Sequence, residues 1–112
     1  MSNTTIDWPH FEAVDMRAGT ILQVTMFPEA RKPAYKLLID FGPLGIKKSS
    51  AQITTKYSPE TLLGMQVIAV VNFPNKQIGP FISECLVLGV YEGNDVILLQ
   101  PQQPVSNGSR IG

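Results

Sequence analysis

Between Val14 and Phe27 the chain alternates with a period of two. Met16, Ala18, Thr20, Leu22, Val24 and Met26 fall on one face, and Arg17, Gly19, Ile21, Gln23 and Thr25 on the other. A strand this long with Gly19 at its middle implies a bend or bulge, the device by which small barrels turn a corner. Nine glycines and nine prolines in 112 residues then leave room for short strands joined by turns and for few long helices.

The rest of the chain fits that frame. Tyr35 to Phe41 alternates again, Gly42-Pro43-Leu44-Gly45 reads as a turn, and a third strand runs from Ile46 to about Ser50. Ala51 to Leu63 reads as helical, with Ser58 as an N-cap before Pro59 and Gly64 as the stop. Met65 to Phe73 is the fourth strand and Ser83 to Tyr91 the fifth, with a Gly/Pro-marked connection between them. Glu92-Gly93-Asn94-Asp95 is a hairpin turn, after which Val96 to Leu99 pairs back. Before all of these, Trp8-Pro9-His10-Phe11 forms one helical turn with Trp8 and Phe11 facing the same way. The pattern predicts a mainly β protein. It is a five-stranded OB-fold barrel with a short helix between strands three and four, extended at both ends, and residues 1–112 form a single domain.

Composition narrows the function. Nine acids balance nine bases, which argues against nonspecific nucleic-acid binding as a bulk property. One histidine, His10, and one cysteine, Cys85, cannot build a zinc site of known type. The serines lack a nucleophile-elbow setting, the glycines form no phosphate loop, and no spacing of carboxylates suggests an acid/base couple. The expectation is a binding protein with no metal and no cofactor, not an enzyme. The N-terminal residues carry no cationic segment followed by an apolar run, and no apolar run is long enough to span a bilayer. A cytoplasmic protein without membrane insertion is therefore expected.

Two motifs give the chain a family likeness. Asp15-Met16-Arg17-Ala18-Gly19-Thr20-Ile21 resembles the Asp-x-Arg-x-Gly-x-Ile of the tRNA-binding domain superfamily. Asn72-Phe73-Pro74 with Lys76, Gly79, Ser83 and Glu84 resembles that superfamily's second block. Within it the chain is more similar to the CsaA family of export-related chaperones. The matching segments are Phe27 to Leu37, Gly45 to Thr54 with Lys47-Lys48-Ser49-Ser50-Ala51-Gln52, and Ala69 to Pro74. One departure is Asn75, where that family commonly has a second proline, so the loop loses one rigid residue.

The resemblance implies a homodimeric barrel that binds unfolded or precursor polypeptides, with tRNA as the alternative partner. For polypeptides the candidates are Phe73, Lys76, Ile78, Phe81 and Ile82, apolar groups beside polar ones; each could equally belong to core or interface. For nucleic acid the candidates are Arg17, Lys36, Lys47, Lys48, Asn72, Lys76 and Ser83. Trp8, Phe11, Val105 and Ile111, on the two extensions, are assigned to the dimer interface.

Overall fold

A computed structural model describes residues 4–112. Five strands form one antiparallel sheet: β1 (Met16–Met26), β2 (Tyr35–Asp40), β3 (Ile46–Ala51), β4 (Gln66–Val70) and β7 (Leu86–Val87), in the spatial order β3-β2-β1-β4-β7. Two hairpins stand off this sheet, β5 (Lys76–Ile78) with β6 (Phe81–Ser83) and β8 (Gly89–Glu92) with β9 (Asp95–Leu98). Helix α1 (Trp8–Glu12) precedes the sheet, and α2 (Pro59–Leu62) joins β3 to β4. The sheet curls into a nearly closed barrel of the OB type.

β1 is the strand that makes the curl possible. Its first half, Met16 to Thr20, pairs with β4, and its second half, Thr20 to Met26, pairs with β2. The register shifts between Ile21 and Gln23, so Leu22 is the extra residue of a bulge. The bulge resets the alternation. Gly19 and Ile21 are buried before it and Val24 is half-buried after it, while Leu22 and Met26 are exposed. The expected bend therefore lies three residues beyond Gly19. Gly19 is needed for another reason: a Cβ there would lie 2.7 Å from Ile39 Cγ2 and from the ring of Phe41. Around it the core gathers Ile21, Leu37, Ile39, Phe41, Leu62 and Val67.

Closure between β3 and β7 uses side chains where a strand ladder would otherwise run. Glu84 N–H donates to the Lys48 carbonyl at 2.7 Å, and Glu84 Oε1 accepts from the Lys48 N–H at 2.9 Å. One residue on, the buried Ser49 hydroxyl donates to the Cys85 carbonyl at 2.9 Å. On the far flank of β1, residues 108–111 return antiparallel. Ala18 N–H donates to Ser109 O, Gly108 N–H to Ala18 O and Ile111 N–H to Met16 O. Ala18, which points away from the core face, is buried as well.

Three expectations change in extent. The helix expected over 51–63 shrinks to four residues, because Ser58 must be extended ahead of Pro59, and proline offers no N–H. Its N-cap is as expected, with Ser58 Oγ accepting from Thr61 N–H at 3.3 Å. The connection between Asn72 and Ser83 is not irregular: it contains β5, a Gly79-Pro80 turn and β6. The expected fifth strand breaks into β6, β7 and β8, where the chain leaves β5 to meet β3, then β4, then β9.

Gly19→Ala is expected to lower unfolding free energy by ~1–3 kcal/mol through overpacking against Phe41, read as a shift in the urea midpoint at unchanged slope. Glu84→Ala is expected to cost about 1–3 kcal/mol, because the Lys48 N–H loses its acceptor. Glu84→Gln, which keeps an acceptor oxygen, should retain most of that stability in the same assay.

Candidate functional site

The β5/β6 hairpin builds the site. Its register, Lys76 opposite Ser83, Gln77 opposite Ile82 and Ile78 opposite Phe81, sends Lys76, Ile78, Phe81 and Ser83 to one face. Gln77 and Ile82 go to the other. Phe81 lies against Phe27, with ring centroids 5.3 Å apart and planes tilted by 59°. Lys36 Nζ sits 5.6 Å from the Phe27 centroid and 6.0 Å from that of Phe81, and Lys48 Nζ 5.5 Å from Phe81. These contacts follow from the ladder, in which Leu38 pairs with Lys48 and Lys36 with Ser50 on the barrel's outer side. Gln23, Thr25, Lys36, Leu38 and Phe81 together line a shallow cleft of about 180 Å³ there.

Where the hairpin leaves and rejoins the barrel, a second hollow of about 310 Å³ opens, lined by Phe73, Pro74, Lys76, Ser83, Cys85 and Leu86. Phe73 is 55% exposed and Leu86 48%, so its walls are apolar and open to solvent. Cys85 lies buried at its floor. Burial pushes this thiol up from 9.0 to about 11, against the lowering influence of Ser49 and Lys47. It is protonated at neutral pH and contributes an apolar surface in place of a nucleophile. Ser83 Oγ turns inward to the Cys85 carbonyl at 3.3 Å.

The candidate residues thus separate. Phe73 and Lys76 share the groove. Ile78 and Phe81 face inward on the hairpin and are half-buried, and Ile82 is exposed on its opposite face. Lys48 joins Lys36 at Phe81, whereas Lys47 alternates to the inner side of the barrel, opposite Ile39. Arg17 lies eight residues along β1 from Thr25, roughly 26 Å at about 3.3 Å per residue. Its guanidinium is engaged by Asp15 at 2.6 Å and by the Gly108 carbonyl at 3.0 Å. Asn72 clamps the start of β1, accepting from Asp15 N–H at 3.0 Å and donating to Ala13 O at 2.7 Å. Both side chains hold the N- and C-terminal segments onto the barrel.

Of the residues on the extensions, Trp8 is 62% exposed and packs on Phe11 at 5.3 Å. Val105 and Ile111 instead border a larger apolar groove of about 450 Å³, with Met16, Ala18, Ile68, Leu88 and Leu99 among its lining. Sequence reading overlooked Leu86, Leu88 and Leu99, because apolar residues inside strand patterns look like core. It also overlooked Phe27, whose contact with Phe81 spans 54 residues of chain. Among the described residues no helix is long and apolar enough to cross a membrane.

Comparison with known proteins places this architecture. Residues 16–110 match the family described as "Putative tRNA binding domain". The crystal structure of chaperone CsaA from Bacillus anthracis is 51% identical and superposes with a TM-score of 0.92, over 97% of this chain and 100% of that one. The CsaA chaperone protein of Picrophilus torridus is 49% identical with a TM-score of 0.90, over 96% of this chain and 100% of that one. Methionine–tRNA ligase of Thermococcus kodakarensis is 30% identical over 106 residues; the match takes in 95% of this chain but 14% of that enzyme. The barrel, its motifs and these likenesses agree: the chain belongs to the tRNA-binding domain family and, within it, to the CsaA family.

Proposed function

We propose that this protein is a chaperone-like binder of unfolded or export-bound polypeptides and acts as a homodimer in the cytoplasm. The observation that carries the reading is the solvent-open apolar groove of Phe73, Pro74 and Leu86 beside Lys76. An apolar wall left in water is unfavourable unless something covers it, and an extended chain of mixed side chains is suited to a groove with one cation at its rim. The half-identical relatives named as chaperones support the same reading. No reacting group is needed: the groove's one thiol is protonated and buried.

Binding of tRNA is the second reading, favoured by Lys36 and Lys48 standing side by side on the outer face of β2 and β3 and by the family match. Phosphates of a single strand would meet these two ammonium groups, and Lys76 could extend the track.

The homodimer rests on the 450 Å³ groove. A second copy laid across Leu88, Leu99 and Ile111 by a two-fold axis would cover it on both protomers at once.

A labelled unfolded polypeptide should bind the purified protein saturably. Replacing both Phe73 and Leu86 by Ser should weaken that binding by about tenfold or more, the equivalent of burying one side chain less. Absence of saturable binding by the parent protein would reject the chaperone reading and leave tRNA. Leu99→Glu combined with Ile111→Glu should convert a dimer to a monomer in sedimentation velocity; a parent protein that already sediments as a monomer would reject the dimer.

A further inference from the structure

The overall charge is zero, but the charges are not evenly placed. Arg31 and Lys32 in the β1–β2 connection, Lys36 on β2, Lys47 and Lys48 on β3, and Lys76 on β5 all belong to the elements that surround the β5/β6 hairpin. They are six of the nine basic residues. Three of the nine acids, Glu29, Asp40 and Glu84, belong to the same region, and Asp40, at the far end of β2 from Lys36, accepts from the Gly42 N–H. Glu84 accepts from the Lys48 backbone N–H through Oε1, and among the described residues it makes no ion pair with a lysine side chain. Elsewhere cations do find partners: Arg17 pairs with Asp15 and Lys56 with Asp95. Among the described residues none of the six makes an ion pair.

Lys36 and Lys48 rest instead over aromatic rings. That contact is weaker than a charge-assisted hydrogen bond to a carboxylate, so an arriving anion can recruit both ammonium groups from it. Lys76 stands at the rim of the apolar groove with its charge unmatched.

We infer that the groove selects acidic-apolar segments, extended stretches in which a large apolar side chain is flanked by carboxylates. This deepens the polypeptide-binding reading and rests on it. The apolar side chain enters between Phe73, Pro74 and Leu86. The flanking carboxylates meet Lys76 at the groove rim and Lys36 and Lys48 beside Phe81, farther along the same hairpin face. Basic segments are rejected by the same field, which gives selectivity by repulsion as well as attraction. A nucleic acid fits this arrangement less well. Phe27 and Phe81 are occupied by each other and by the lysines, so they offer no open platform for a base, and the groove walls offer bases no row of donors.

The test uses three labelled peptides with the same central Leu-Phe-Leu in a Gly/Ser background, flanked on both sides by Glu, by Gln or by Lys. Binding to the full chain is read by fluorescence anisotropy at low and at high salt. The expected order is Glu tightest and Lys weakest, about tenfold apart at low salt and converging as salt screens the charges. Lys76→Gln should shrink that ratio and Lys76→Glu should invert it, with thermal melts confirming that the variants fold. Equal binding of the three peptides, or tighter binding of the Lys peptide, overturns the selectivity and leaves the groove as a general apolar site. No binding by any of them overturns the polypeptide reading as well. If bulk tRNA binds, and Lys76→Glu weakens tRNA but leaves the peptide order unchanged, the cations serve nucleic acid and the inference falls.

Discussion

The barrel depends on how its first and last sheet strands meet. β3 and β7 sit at opposite ends of the strand order and share no ladder among the described residues. The seam is closed by one carboxylate and one hydroxyl. Glu84 offers its own N–H to Lys48 and, through Oε1, receives the Lys48 N–H in return, so its backbone and side chain together stand in for a strand residue. Ser49 adds a bond in the dry interior. Buried backbone groups left unpaired at this seam would be costly, and two side chains remove most of that cost.

The apolar groove and the cationic face are by-products of that closure. To reach β3 with Glu84 and then β4 with Leu86, the chain must first leave β4 at Val70 and come back, and the excursion is the β5/β6 hairpin. One flank of the excursion lies on β2 and β3 through Phe81 and the two lysines. The other flank leaves the hollow between Phe73 and Leu86. Apolar groove and cationic face are therefore held in fixed relation by the same short hairpin. The segments at the two ends of the chain are tied down separately, by Arg17, Asn72 and the pairing of residues 108–111 with β1.

Much of this was legible from the residues. Strand alternation, the Ser58 cap and Gly64 stop of α2 and the Gly93-Asn94 turn are local signals, and they read correctly because the responsible side chains lie within a few residues of each other, whereas the helix read over 51–58 did not form. What escaped reading depends on distant partners. The bulge at Leu22 is set by the pairing of β1 with β2, not by Leu22 itself. Gly19 looks like a bend but answers to Phe41, twenty-two residues away. Asn72 looks like an exposed polar ligand because its partners Asp15 and Ala13 lie far along the chain, and Arg17 does so although Asp15, only two residues away, engages it together with the distant Gly108 carbonyl. Leu86 reads as core because nothing local says that the neighbouring hairpin stands off and leaves it uncovered.

The return of residues 108–111 along β1 bears on how the protein comes into being. β1 is flanked by β2, β4 and that late segment, so the innermost strand of the sheet waits on residues made some ninety positions after it. On a ribosome, the Ala18 edge of β1 stays bare until the segment around Ser109 has cleared the exit tunnel. Covering that edge is thus a non-local step that waits on closing a loop of about ninety residues.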